Sequence, residues 1–396
     1  MKHLNQLVIL AAWLVLTLPQ CGLAQFTFFT NNGAITITSY TGSGGYVTIP
    51  GSTNGYPVTA IKSNAFSSTF SITGVTIPDS VTNIGIWAFF NCPGLASATI
   101  GNGVASIGDY AFDSCHGLTN VTIGNSVASI GNYVFYSCYS LPYVTIPASV
   151  TNLGLSVFAS CNALTNISVS ALNPRYTGVS GVLIDQTRAR LIACPGGFTG
   201  TYTVPDNITS IGDDAFDICH LTGITIPNSV TAIGNNAFNL CSSLGSITIP
   251  NSVTNIGGSA FGGCTSLHQA YFMGNAPLVN GVAGSLDGTV FLNLLGTVYY
   301  VPGTMGWGAS YGSWPTAQWF QPAPQILGNG NGFGARSNRF NFTISWATNT
   351  SVVVEGSTNM FTWTAIATNS LAGGTNAFSD PSYTNYPCRF YRVRSP

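Results

Sequence analysis

A chain of 396 residues is long enough for two or three domains, yet only 5% of it is charged, against about a quarter in an average globular protein. The formal net charge of −1 offers neither a basic field for nucleic acid nor an acidic tail, which argues against a nucleic-acid partner. The surface must instead be covered by Ser, Thr, Asn and Gly.

In chain order, residues 1–24 read as a secretory signal peptide. Lys2 and His3 form a short polar start, Leu7 to Leu18 an apolar run, and Gly22-Leu23-Ala24 place small residues where a signal peptidase reads. The mature chain is expected to begin near Gln25. Gln20 is too bulky before Cys21 for a good lipidation signal. No later run of about 18 apolar residues exists, so no membrane span is expected in the mature chain. Residues 25–57 then alternate polar and apolar side chains between glycine turns, as in Ala34-Ile35-Thr36-Ile37-Thr38, and read as a β cap.

From residue 58 to 272 the chain repeats. Phe66, Phe89, Phe112, Phe135 and Phe158 recur every 23 residues, followed by Phe216, Phe238 and Phe261 at steps of 58, 22 and 23. The step of 58 is one period plus an insertion of 35, within about residues 170–204. The clearest unit runs from Leu244 to Cys264. In it Ser246-Ile247-Thr248-Ile249 is a β-branched run closed by Pro250, which cannot donate to a central ladder. Val253 and Ile256 follow, then a turn and a short helical or 3₁₀ piece around Ala260-Phe261. One unit cannot bury its own apolar residues, whereas stacked copies can, so the pattern predicts a solenoid with parallel strands.

The units, which run T-I-P-x-S-V-t-x-I-G-x-x-A-F-x-x-C, resemble the leucine-rich repeat family and more closely its bacterial BspA-like, Treponema pallidum-type branch. The resemblance implies a right-handed, β-rich horseshoe with a parallel sheet, and attachment to proteins, cells or surfaces. The insertion, with Asn173-Pro174-Arg175-Tyr176 and Gly181-Val182-Leu183-Ile184, also looks like a longer unit of that branch. Thr69 stands where the first repeat cysteine is expected, and Val134 and Val157 where alanine is.

Cys92, Cys115, Cys138, Cys161, Cys219, Cys241 and Cys264 form one ligand per rung, a line rather than the converging set that zinc needs. Neighbouring rungs could bring Cα atoms into disulfide range, but parallel Cβ vectors would point into the core and not at each other. A buried ladder of free thiols, packing as small hydrophobes, is the expectation. Whether Cys194 or Cys388 forms a disulfide is left open by the sequence.

Residues 273–320 read as a C-terminal cap with Trp307, Tyr311, Trp314, Trp319 and Phe320, and residues 321–338, rich in Pro, Gly and Asn, as a linker. Residues 339–396 alternate apolar and polar positions, beginning with Phe340, Phe342, Ile344 and Trp346, and predict a small all-β sandwich. Five Arg residues lie in residues 325–396, which invites either attraction to the acidic solenoid or a solubilising role.

No catalytic constellation emerges. Gly308-Ala309-Ser310-Tyr311-Gly312 matches G-x-S-x-G without the strand-to-helix context that motif requires. His116 and His220 fall on a variable outer turn. Asp213, Asp214 and Asp217 read as a solvated helical turn in preference to a calcium loop. Glu355 is the only glutamate. No metal and no cofactor are expected.

Binding features are clearer. Between the inward residues of each strand, Thr99, Thr122, Thr145, Thr225 and Thr248 form one outward row with Thr76, Ser168 and Thr203. Asn120, Tyr143 and Asn166 form a second with Gly74, Ser97, Thr201, Gly223 and Ser246. A good strand former on an exposed sheet explains the Thr row equally well. The reading that follows is a secreted or cell-surface, non-enzymatic adhesion protein, monomeric, that uses the concave solenoid face to bind protein or surface ligands. The alternative is a carbohydrate-binding accessory protein, resting on the Thr rows and on Trp314 and Trp319.

Overall fold

The computed structural model describes residues 25–281, 289–292, 294–319, 324–328, 333–346 and 350–395. The signal-peptide reading and Phe320 lie outside the described residues.

Each coil contributes three segments, and each is held by a different hydrogen-bond ladder. The long strands run Gly45–Thr48, Ile72–Ile77, Ser97–Ile100 and Asn120–Thr122, paired parallel and in register, with Thr76 beside Thr99 and Thr99 beside Thr122. Tyr143–Ile146 pairs with Asn166–Val169, and Thr199–Thr203 with His220–Thr225. Ser246–Ile249, Gln269–Phe272, Thr297–Tyr300 and Trp314–Gln318 then continue the face. The second ladder consists of two-residue strands at the repeated x-Ile pair, such as Asn83–Ile84, Ser106–Ile107 and Ser129–Ile130. The hairpin of Phe26–Asn31 with Ala34–Tyr40 covers its first end.

The third segment, at Ala-Phe, forms no helix among the described residues, in contrast to the piece expected around Ala260-Phe261. Alternate amides leave the coil: Tyr110, Phe112 and Ser114 donate to the carbonyls of Asn132, Val134 and Tyr136 in the next coil. The amides between them, Ala111 and Asp113, close tight turns on residues three back. A helix would need all these amides for its own carbonyls. The two turns force left-handed backbone at positions four apart, with φ of 58° at Tyr110 and 59° at Ser114, and the same pair recurs in other coils.

This geometry stacks the repeated phenylalanines. Phe89 lies on Phe112 with centroids 5.0 Å apart and planes within 4°, and the column runs from Phe66 to Phe158. A second column runs from Phe216 through Phe238, Phe261 and Phe291 to Trp314, which closes it at 4.0 Å. Each buried ring contributes about 1.5–3 kcal/mol from desolvation, and inward Leu, Ile and Val residues complete the core.

The insertion separates the two columns. Tyr176–Val179, Val182–Asp185 and Arg190–Ala193 form an antiparallel meander whose last strand pairs with Ser210–Ile211. All four residues Val182–Asp185 are buried. Leu183 packs into the preceding core while Val182 and Ile184 pack into the following one, as side chains of period two must. Asn173, 6% exposed, pins the entry. Its amide donates to the carbonyls of Pro147 and Val150, and its oxygen accepts from the amides of Arg175 and Tyr176.

The terminal domain has two sheets. Arg339–Ser345 is flanked by Gln325–Leu327, Gly334–Arg336 and Thr375–Asp380. Thr350–Ser357 lies between Thr364–Leu371 and Phe390–Arg394. Phe342, Ile344, Val352, Val354, Leu371 and Phe378 fill the space between them. Residues 321–338, read as a linker, thus supply two of its strands, because Ile326 and the residues around Ala335 find backbone partners along Arg339–Ser345. The Arg residues serve this domain internally: Arg389 pairs with Asp380 at 2.7 Å, and Arg392 and Arg394 both grip Glu355. The domain rests on the last coil, where Ser345 Oγ donates to the Pro302 carbonyl at 3.1 Å.

Candidate binding surfaces

The long-strand face carries no Asp, Glu, Lys or Arg on its strands. Thr99, Asn120, Thr122, Tyr143, Thr145, Asn166, Thr225 and Thr248 are all exposed on it. Register brings them side by side, with Tyr143 opposite Asn166 and Thr145 opposite Ser168, at the roughly 4.8 Å strand spacing. Gly74, expected in the second row, is buried. The Tyr46 ring lies across it, with its hydroxyl 2.8 Å from Thr76 Oγ1, and a Cβ on Gly74 would meet that ring at 2.4 Å.

Toward the terminal domain the Thr row becomes aromatic. Thr248 pairs with Tyr271 and Tyr271 with Tyr299, the two tyrosine rings stack at 5.2 Å, and Trp319 leans on Tyr271 at 4.6 Å. A cleft of about 520 Å³ opens beside it, with Thr225, Thr248 and Met273 on the solenoid side and Ile326 and Leu327 on the other. The sequence patterns could not locate this cleft, since it depends on where the terminal domain docks.

The pattern of the BspA type leucine-rich repeat region matches residues 59–175 and 199–281 in six copies, half of the chain. The chain belongs to the BspA-type leucine-rich repeat family. The gap in the match covers the buried meander. A leucine-rich repeat protein from Bacteroides ovatus superposes with a TM-score of 0.53 at 27% identity, over 70% of each chain. One from Eubacterium ventriosum gives 0.52 at 26%, over 70% of this chain and 77% of that one. No curated protein matches.

The other residues singled out in this BspA-type chain divide cleanly. Trp314 is 1% exposed beneath the last coil and its indole donates to the Leu294 carbonyl, so it caps the core and is closed to ligands. Ser310 lies in a short hairpin paired with Pro315, not in a strand-to-helix elbow. His116 stacks on Tyr139 at 4.5 Å, while His220 opens the strand His220–Thr225 instead of occupying a turn. All nine cysteines among the described residues are free, and only Cys388 is exposed.

The acidic cluster differs from the solvated helical turn expected of it. Asp217 is 7% exposed. It accepts hydrogen bonds from Ser160 Oγ at 2.9 Å and Asn239 Nδ2 at 2.9 Å, and Asp214 accepts one from Ser156 Oγ. The insertion loops out and brings the turn of Asp214 and Asp217 against that of Ser156 and Ser160. Burial pushes the carboxyls of Asp113, Asp214 and Asp217 above the ordinary aspartate range, against the pull of their hydroxyl and amide partners.

Proposed function

We propose that this protein is an exported, non-enzymatic binding protein that holds an extended protein ligand, on a matrix or on another cell, against its long-strand face. The observation that carries the reading is the in-register row of hydroxyls, amides and Tyr143 on strands that carry no charged side chain. Such a surface offers donors and acceptors at regular spacing without the desolvation cost of ionic groups. Leucine-rich repeat solenoids are binding scaffolds in general, and family membership supports the same role here. The aromatic end at Tyr271 and Tyr299, with the cleft beside Thr248, supplies the desolvated anchor that interfaces concentrate their energy on.

The test is retention of protein lacking residues 1–24 on immobilised matrix proteins and on insoluble polysaccharides, with Tyr143→Ala, Asn166→Ala and Thr248→Arg as variants. Retention on protein that the three substitutions abolish, with thermal unfolding unchanged, supports the reading. Retention indifferent to all three removes the ligand from this face, and retention on polysaccharide alone changes the ligand class.

A further inference from the structure

The turn face of the solenoid carries a groove separate from the long strands. Two stacked rings form one wall: Tyr110 and Tyr133 have centroids 5.0 Å apart and planes within 8°, and Tyr136 stands edge-on to Tyr133 at 5.7 Å. The next coil places Ser156 and Ala159 where its predecessor has Tyr133 and Tyr136, so the wall drops away into a notch. The far wall is Asp214 and Asp217, followed by Asn236 and Asn239 in the same two positions of the next coil. The groove is open to solvent and has a volume of about 350 Å³, within the range of small-ligand sites.

We propose that this groove is a binding site for a neutral saccharide. A pyranose ring presents weakly positive C–H bonds on its faces, which suit the negative face of a tyrosine ring. Its hydroxyls both donate and accept, and they match a wall of carboxylates that accept beside amides that do both. Asp113, 7% exposed, lines the groove beside the tyrosines and accepts a hydrogen bond from Ser114 Oγ. No Lys or Arg lines the groove, which disfavours phosphorylated, sulfated or uronic sugars. An ammonium ligand would satisfy the carboxylates but offers no acceptor to the Asn amides. This site goes beyond the long-strand reading and stands or falls independently of it.

The experiment uses protein lacking residues 1–24 on an array of neutral and acidic oligosaccharides, followed by calorimetric titration of the best neutral one. Tyr133→Asn is the diagnostic variant, because Asn64 and Asn236 occupy the same turn position with φ of 62° and 51°, so the backbone accepts it. Neutral oligosaccharides should bind, and Tyr133→Asn and Asp113→Asn should each weaken binding roughly tenfold or more, while Phe361→Ala, exposed on the terminal domain, leaves it unchanged. Tyr136→Ala, a second wall variant, guards against a Tyr133→Asn protein that fails to fold. Absence of neutral-sugar binding overturns the proposal. So does binding that survives the substitutions, or a preference for acidic sugars or lysine-rich peptides.

Discussion

The thiol of Cys138 donates to the backbone carbonyl of Phe112, one coil back, at 3.3 Å. Cys92, Cys115 and Cys161 make the equivalent bond to Phe66, Phe89 and Phe135, and Cys241 and Cys264 to Phe216 and Phe238. Each repeat cysteine thus fills a small apolar site and gives a buried carbonyl a second, weak donor. That explains a regular cysteine without metal or disulfide.

Thiol reagents should therefore find one group in the folded protein lacking residues 1–24, Cys388, and nine after unfolding without reductant. Burial raises the Cys161 thiol to about 12 and pushes Cys138 up as well, so these two thiols are unreactive near neutrality, and all the ladder cysteines are buried from reagent. Two or more thiols missing from the unfolded count would signal a disulfide. Cys138→Ala should cost about 1–2 kcal/mol in chemical unfolding through the lost bond and small cavity.

Gly154 touches the coil before it. A Cβ there would lie 2.4 Å from the amide nitrogen of Asn132 and the carbonyl carbon of Gly131, and one at Gly108 or Gly257 would come within 2.7 or 2.3 Å of neighbouring backbone. Gly154→Ala should destabilise by about 1–3 kcal/mol, whereas Gly245→Ala, with open space at its Cβ, should be near neutral. Equal melting points for the two variants would contradict this packing.

Acid should affect the two domains with opposite sign. Burial raises Asp113, Asp214 and Asp217, so their contribution is fullest below about pH 4, the unfolded aspartate value, and is lost as pH rises through their folded values. Arg394 and Arg392 lower Glu355, so its contribution is present above about pH 4 and is lost as pH falls through its folded value. In melts between pH 3 and 7, Asp217→Asn should gain on wild type as pH rises, and Glu355→Gln should lose ground. The reverse order would show the ionic assignments to be wrong.

The Phe column should transmit stability from coil to coil within each core. Phe112→Ala, between rings at 5.0 and 5.7 Å, should cost about 3–5 kcal/mol. Hydrogen exchange should show that loss in the first core, with smaller change beyond the meander at Val182–Asp185, where the two cores part. Uniform loss across both would mean that the meander transmits stability fully.

The sequence alone determined the repeat, the parallel strands, their register and the exposed Thr row, because a 23-residue period fixes which side chain lies above which. It also determined the inward thiols and the alternating strands of the terminal domain. It misled at the Ala-Phe turns, where local propensity suggests a helix but the amides are claimed by the next coil, a partner 22 residues away. It misled again at Asp217, which reads as part of a solvated helical turn but is buried, and it was silent on the Thr248 cleft. Those features depend on which coils become neighbours once 35 residues loop out and on where a second domain settles, and no local pattern encodes either. Only the tertiary structure decided them, through contacts such as Ser160 with Asp217, 57 residues apart.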